Sequence, residues 1–77
     1  MLGAMQIRVQ TYSGYKADER PVSIDLGGGS VRVKEIVDRW YGPDHAYFKL
    51  RGENARTYII RHDMENDVWE LVVMENE

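Results

Sequence analysis

The residues able to do chemistry gather in IVDRWYGPDHAYF, Ile36 to Phe48, which holds an Asp-Arg pair, four aromatic rings and one of the two histidines. Metal binding is the first chemistry to weigh. His45 and His62 have Asp44 and Asp63 as their nearest carboxylates, so a site using both pairs needs two turns to meet. Neighbouring residues on a strand point to opposite faces, which sets His62 and Asp63 badly for holding one ion. Both histidines are expected as exposed turn residues, with no metal and no cofactor. The acids of DMEND, Asp63, Glu65 and Asp67, alternate like the start of a calcium loop. The sixth position lacks glycine and the twelfth lacks glutamate, so an acidic hairpin tip is expected instead.

Nucleophilic catalysis finds little support. There is no cysteine, and Ser13, Ser23 and Ser30, the only serines, have no histidine near them in the chain. One small core also leaves little room for a pocket of roughly 300 Å³, the lower range for small-molecule sites. The chain is therefore expected not to be an enzyme and to have no catalytic residues; an enzyme or an enzyme's accessory subunit ranks third among the readings. Gly27-Gly28-Gly29-Ser30 invites a phosphate loop, but neither Lys-Ser/Thr nor a helix follows. A hairpin turn exploiting glycine's positive φ is expected there.

The aromatic residues carry the remaining possibility. Trp40, Tyr41, Tyr47, Phe48, Tyr58 and Trp69, with Arg39, Lys49, Arg51 and Arg56, are the residue types of a base-stacking platform. Trp40, Phe48 and Trp69 fall on apolar faces and are expected inside. That leaves Arg39, Tyr41, Tyr47, Lys49 and Arg51 on the opposite face as the candidate binding residues. An ordinary solvated face with a Tyr-Lys or Tyr-Arg stack has the greater weight.

Strands must position these residues. MQIRVQTY alternates Met5, Ile7, Val9 and Thr11 against Gln6, Arg8, Gln10 and Tyr12, the pattern of a half-buried strand. SGYKADER reads as a loop, and PVSIDL as a second strand with Val22, Ile24 and Leu26 on one face. Between Val31 and Tyr41 two periods compete. Val33, Ile36, Val37 and Trp40 have the spacing of a helical face, whereas Val31 and Val33 alternate as in a strand. A long bent strand with a bulge near Glu35, turning Ile36 and Trp40 inward, is favoured; a short helix over 33–40 in an α+β fold is the alternative. AYFKLR, RTYIIRH and VWELVVM supply further strands, with Trp69, Leu71 and Val73 sharing a face. The expectation is an all-β antiparallel meander of five or six strands, closed into a small barrel or a strongly coiled sheet.

Composition bounds the rest. At 77 residues the chain is expected to be one domain, 1–77, with 1–4 a loose leader. A domain of this size buries only about 60% of its unfolded surface. Without cysteine, packing or a second subunit must supply the stability. The absence of a signal-peptide pattern and of any run of about 20 apolar residues leads to an expectation of a cytoplasmic protein with no membrane contact. The net charge of −3, with six acids and no Lys or Arg from Asp63 onward, disfavours nucleic acid as a partner.

GYKADERP, VKEIVDRWYGPDHAYFKL, YIIRHD and WEL together resemble a family of short bacterial cytosolic proteins, with DRWYG as the most specific block. The likeness runs from about Gly14 to Leu71. It implies a stand-alone β-rich domain and no catalytic residue or cofactor. The leading expectation is thus a non-enzymatic module that binds a protein partner or its own copy, through a strand edge or the Arg39–Arg51 face. Single-stranded nucleic-acid or RNA binding through Tyr41, Tyr47, Lys49 and Arg51 is the alternative.

Overall fold

The computed structural model describes residues 5–13 and 19–76. The leader expected over 1–4 and the centre of the SGYKADER loop lie outside the described residues. Six strands form: β1 (Met5–Ser13), β2 (Glu19–Asp25), β3 (Ser30–Tyr41), β4 (His45–Gly52), β5 (Arg56–Asp63) and β6 (Val68–Asn76). Each pairs antiparallel with the next, and β6 returns to β1, so the sheet closes into a barrel. Closure buries one apolar face without a second layer. The all-β expectation holds, and Glu19 and Arg20 belong to β2 rather than to the loop.

The core follows the alternation. Ile7, Ile24, Ala46, Phe48, Leu50, Tyr58 and Ile60 are buried, with Val9, Leu26, Val31, Val33, Ile36, Trp69 and Leu71 packed against them. Gly27 has φ +93°, its N–H donates to Asp25 Oδ1 at 2.9 Å, and Leu26 N–H donates to Gly29 O at 2.9 Å. The triple glycine is a hairpin turn, as its composition predicts.

Four bulges set which side chains face in. In β3 the register runs Val33↔Gly52, Glu35↔Arg51, Ile36↔Leu50, Asp38↔Lys49, leaving Lys34 and Val37 as extra residues. The first bulge turns Ile36 inward, at the place where a phase shift is expected. The second, at Val37, inverts the alternation again. Arg39 therefore faces Phe48 and Trp40 faces Tyr47. Trp40, expected in the core, is instead outside and 40% exposed. No helix forms over 33–40, because each bulge inserts one residue and mimics a helical spacing within a strand.

The other two bulges correct two further faces. Gln10↔Ser23 is followed by Thr11↔Pro21, so Val22 leaves the Ile24 face and Pro21 is buried in its place. Ile59↔Val73 is followed by Ile60↔Leu71, so Val72 bulges and Val73 departs from the Trp69–Leu71 face. Proline is tolerated in a strand beside a bulge, and Pro21 also lies beyond the three β2 positions that pair with β3.

The seams are unequal. β3–β4 and β4–β5 each have seven paired positions and β5–β6 has eight, whereas β1–β6 and β2–β3 have three each. The β1–β2 hairpin thus closes a four-stranded sheet along two short seams, and clefts open where those seams end.

Candidate functional site

The outer face of β3 and β4 is built by the second bulge. It sets the Trp40 ring against Tyr47, with centroids 5.4 Å apart and planes within 2° of parallel. On the far side of Tyr47 stands Arg61, its register partner on β5. Arg61 Nε donates to Glu70 Oε1 at 2.8 Å, and its terminal nitrogen donates to the same oxygen. Hydrogen bonding to Glu70 first, and to Tyr47 second, holds the Arg61 guanidinium above its ordinary pKa. Tyr47 is therefore fixed between a ring and a paired cation. The row continues through Glu70 to Gln6, across four seams of the barrel.

The five residues expected to share one face divide. Tyr47, Lys49 and Arg51 lie on the outer face of β4, whose Ala46, Phe48 and Leu50 point inward. Arg39 and Tyr41 have the opposite orientation because the Val37 bulge reversed them. The Arg39 guanidinium carbon lies 5.7 Å from the Phe48 ring centroid, covering one end of the core. Tyr41 pairs with Ala46 at the strand's end and is 63% exposed. Each outward cation of β4 stands opposite an acid in the register, Lys49 across from Asp38 and Arg51 across from Glu35, whose Oε1 lies 4.0 Å from Arg51 Nε. The face is aromatic and close to charge-balanced.

Sequence reasoning missed Trp40, Arg61 and Glu70 as members of this face. Arg61 and Glu70 had a signal, since both alternate with core residues in their strands. Trp40 had none, since its orientation depends on counting two bulges.

The histidines also separate. His45 is half-buried, its ring 6.2 Å from Tyr47. His62, expected as an exposed turn residue, stacks on Trp69 at 4.1 Å and 9°, and its Nε2 is 2.9 Å from Asp67 Oδ1. Among the described residues no group of three His, Asp or Glu side chains gathers for a metal. A groove of about 580 Å³ crosses the outer face of β1, β2 and β3, between Arg8, Ser23, Asp25 and Arg32, and it opens on the surface rather than in the core.

The acidic tip of β5–β6 is structural. Asp63 accepts from Glu65 N–H at 3.0 Å, Asn66 N–H at 3.2 Å and Asn66 Nδ2 at 3.0 Å. The Asn66 side chain, then the Asn66 backbone, hold the Asp63 carboxyl below its ordinary pKa. A lowered folded-state pKa stabilises the fold above the unfolded value and loses that contribution as pH falls through the folded value. Asp63→Asn is thus expected to melt slightly below the parent at neutral pH. The difference should close below about pH 4, in melting curves recorded across the acid range.

No protein-family model, curated protein or solved structure matches this chain. No helix of the described residues is long and apolar enough to cross a membrane.

Proposed function

We propose that this chain is a non-enzymatic interaction module that binds a protein partner, or its own copy, through the outer face of β3 and β4. The observation that carries this reading is the Trp40–Tyr47 stack, exposed to solvent and held on two adjacent barrel strands. Tryptophan, tyrosine and arginine dominate the energetics of protein interfaces, and rings already ordered lose little freedom on docking. Arg61 and Glu70 supply a satisfied polar border beside Tyr47. The cysteine-free composition and the resemblance to bacterial cytosolic proteins support a cytoplasmic setting.

The nucleic-acid reading uses the same rings but requires cations free to meet phosphates. Asp38 and Glu35 stand opposite Lys49 and Arg51, so the face has little net positive charge for counterion release. Binding governed by the rings is expected to be nearly insensitive to salt.

The test uses the full chain immobilised in native lysate, with Trp40→Ser/Tyr47→Ser as the comparison. A partner retained by the parent at moderate salt and reduced at least about tenfold by the double substitution is the expected result, the loss of one interface anchor pair. A sharp monomer in sedimentation with no partner recovered counts against the module. Single-stranded oligonucleotides shifting the Tyr47 and Lys49 amides, with steep salt dependence, would replace it with the nucleic-acid reading.

A further inference from the structure

A second surface lies where the β2–β3 seam ends. Only Ser23, Ile24 and Asp25 of β2 pair with β3, so from Val33 onward the two strands diverge. The cleft between them, about 480 Å³, has Pro21, Val33 and Ile36 along its floor and Arg20, Lys34 and Arg39 around it. Its one acid, Glu35, is directed toward Arg51. Three of the ten cations of a net-negative chain thus surround one cleft, whose lining is mainly polar with an apolar strip at Pro21, Val33 and Ile36. The bulges at Lys34 and Val37 break the β3 edge, so an added strand could not form a continuous ladder there. Side chains must make the contact: carboxylates on the cations, aliphatic groups on the floor.

The complementary chemistry is present in the same chain. Of the six acids from Asp63 onward, Asp63, Glu65 and Asp67 lie at the β5–β6 turn and Glu70 is bonded to Arg61, so Glu75 is the described acid at the far end of β6, a stretch with no Lys or Arg. β6 pairs with β1 only through Trp69, Glu70 and Leu71, and past Leu71 that edge has no strand beside it among the described residues. There Val72, Val73 and Met74 are 38%, 38% and 48% exposed, followed by exposed Glu75. Aliphatic side chains next to a carboxylate are what the cleft's floor and rim would accept.

We propose that the Arg20–Lys34–Arg39 cleft binds the acidic end of β6 from a second copy of this chain. The inference rests on the interaction-module reading and names a partner for a surface other than the Trp40–Tyr47 face. Cleft and strand are different surfaces, so the contact is head-to-tail and copies add in series. A contact confined to one cleft and half a strand buries less than about 1,200 Å², which makes the association weak and concentration-dependent. Its electrostatic share weakens as salt rises.

Charge exchange tests it. In sedimentation from micromolar to millimolar chain at low salt, the parent's average mass is expected to rise with concentration. Arg20→Glu/Lys34→Glu and, separately, Glu75→Lys should each weaken association by about tenfold, the effect of placing like charges across a contact. Mixing the two variants should restore it, because each then offers the surface that the other needs. Trp40→Ser/Tyr47→Ser should leave it unchanged. Parent that stays monomeric at millimolar concentration, association that ignores both reversals, or a mixture that fails to associate would each overturn the proposal. Association lost only in Trp40→Ser/Tyr47→Ser would overturn the cleft while sustaining the module reading.

Discussion

Leu50→Ala is expected to lower the unfolding free energy by about 3 to 4 kcal/mol, within the range for burying a cavity where a leucine stood. Leu50 is 0% exposed, between Ile36 on β3 and Tyr58 on β5 in the register. In a closed barrel the strands on both sides are tied into ladders, so they cannot move in to fill the space. A domain of this length holds only about 4 to 12 kcal/mol in total. The loss should therefore appear as a fall of about 15 to 25 °C in Tm and a matching fall in urea midpoint. Val37→Ala supplies the contrast. Val37 is the extra residue of the second β3 bulge and is 45% exposed, so its truncation should change stability by less than about 0.5 kcal/mol. Equal losses from the two would mean that the bulge does not turn Val37 outward.

That comparison also marks where sequence patterns are informative. Strands β4 and β5 follow strict or nearly strict alternation, and Ala46, Phe48 and Leu50 lie inward as period two requires. Those strands have no bulged residue of their own in the register, so parity counted from the sequence stays correct along their length. β3 is different. Its 12 residues contain two extra positions, and each flips every side chain beyond it. One phase shift was readable because Val33 and Ile36 are both apolar and cannot share a face without it. The second left no such mark: Asp38, Arg39, Trp40 and Tyr41 offer no apolar alternation from which parity could be recovered.

The candidate site had the same weakness. Tyr47, Lys49 and Arg51 were legible because β4 alternates, whereas Arg39 and Tyr41 inherited the hidden bulge and changed sides. Trp40 took the place expected of them. What could not be read locally was the row Tyr47–Arg61–Glu70, which exists only once three strands are in register. Spacing along the chain carries the orientation of residues within a strand, while neighbours across strands depend on how bulges offset the ladder.

Gly52→Ala is the second large effect expected, and it tests how tightly the barrel closes where β4 ends. Gly52 is buried, and a Cβ there would lie 2.6 Å from Val31 Cγ1, 2.7 Å from Asn54 Oδ1 and 3.2 Å from Tyr58 Cε1. Alanine reduces the freedom of the unfolded chain, worth about 0.4 to 1 kcal/mol in its favour. Overpacking a filled site costs about 1 to 3 kcal/mol, and none of the three neighbours is free to retreat. Val31 is held by the Ile24 pairing on β3's short seam, and Asn54 donates from Nδ2 to the Tyr58 hydroxyl at 2.8 Å while its Oδ1 accepts from Arg56 N–H at 3.2 Å. The expected net result is a destabilisation of about 2 kcal/mol, read from the urea midpoint. Adding Val31→Ala removes the closest clash. In the double variant part of the loss should return, as a coupling of about 1 kcal/mol between residues in contact. Strictly additive losses would show that β3 and β4 can part at this point, and that the β2–β3 seam is looser than its packing against Gly52 implies.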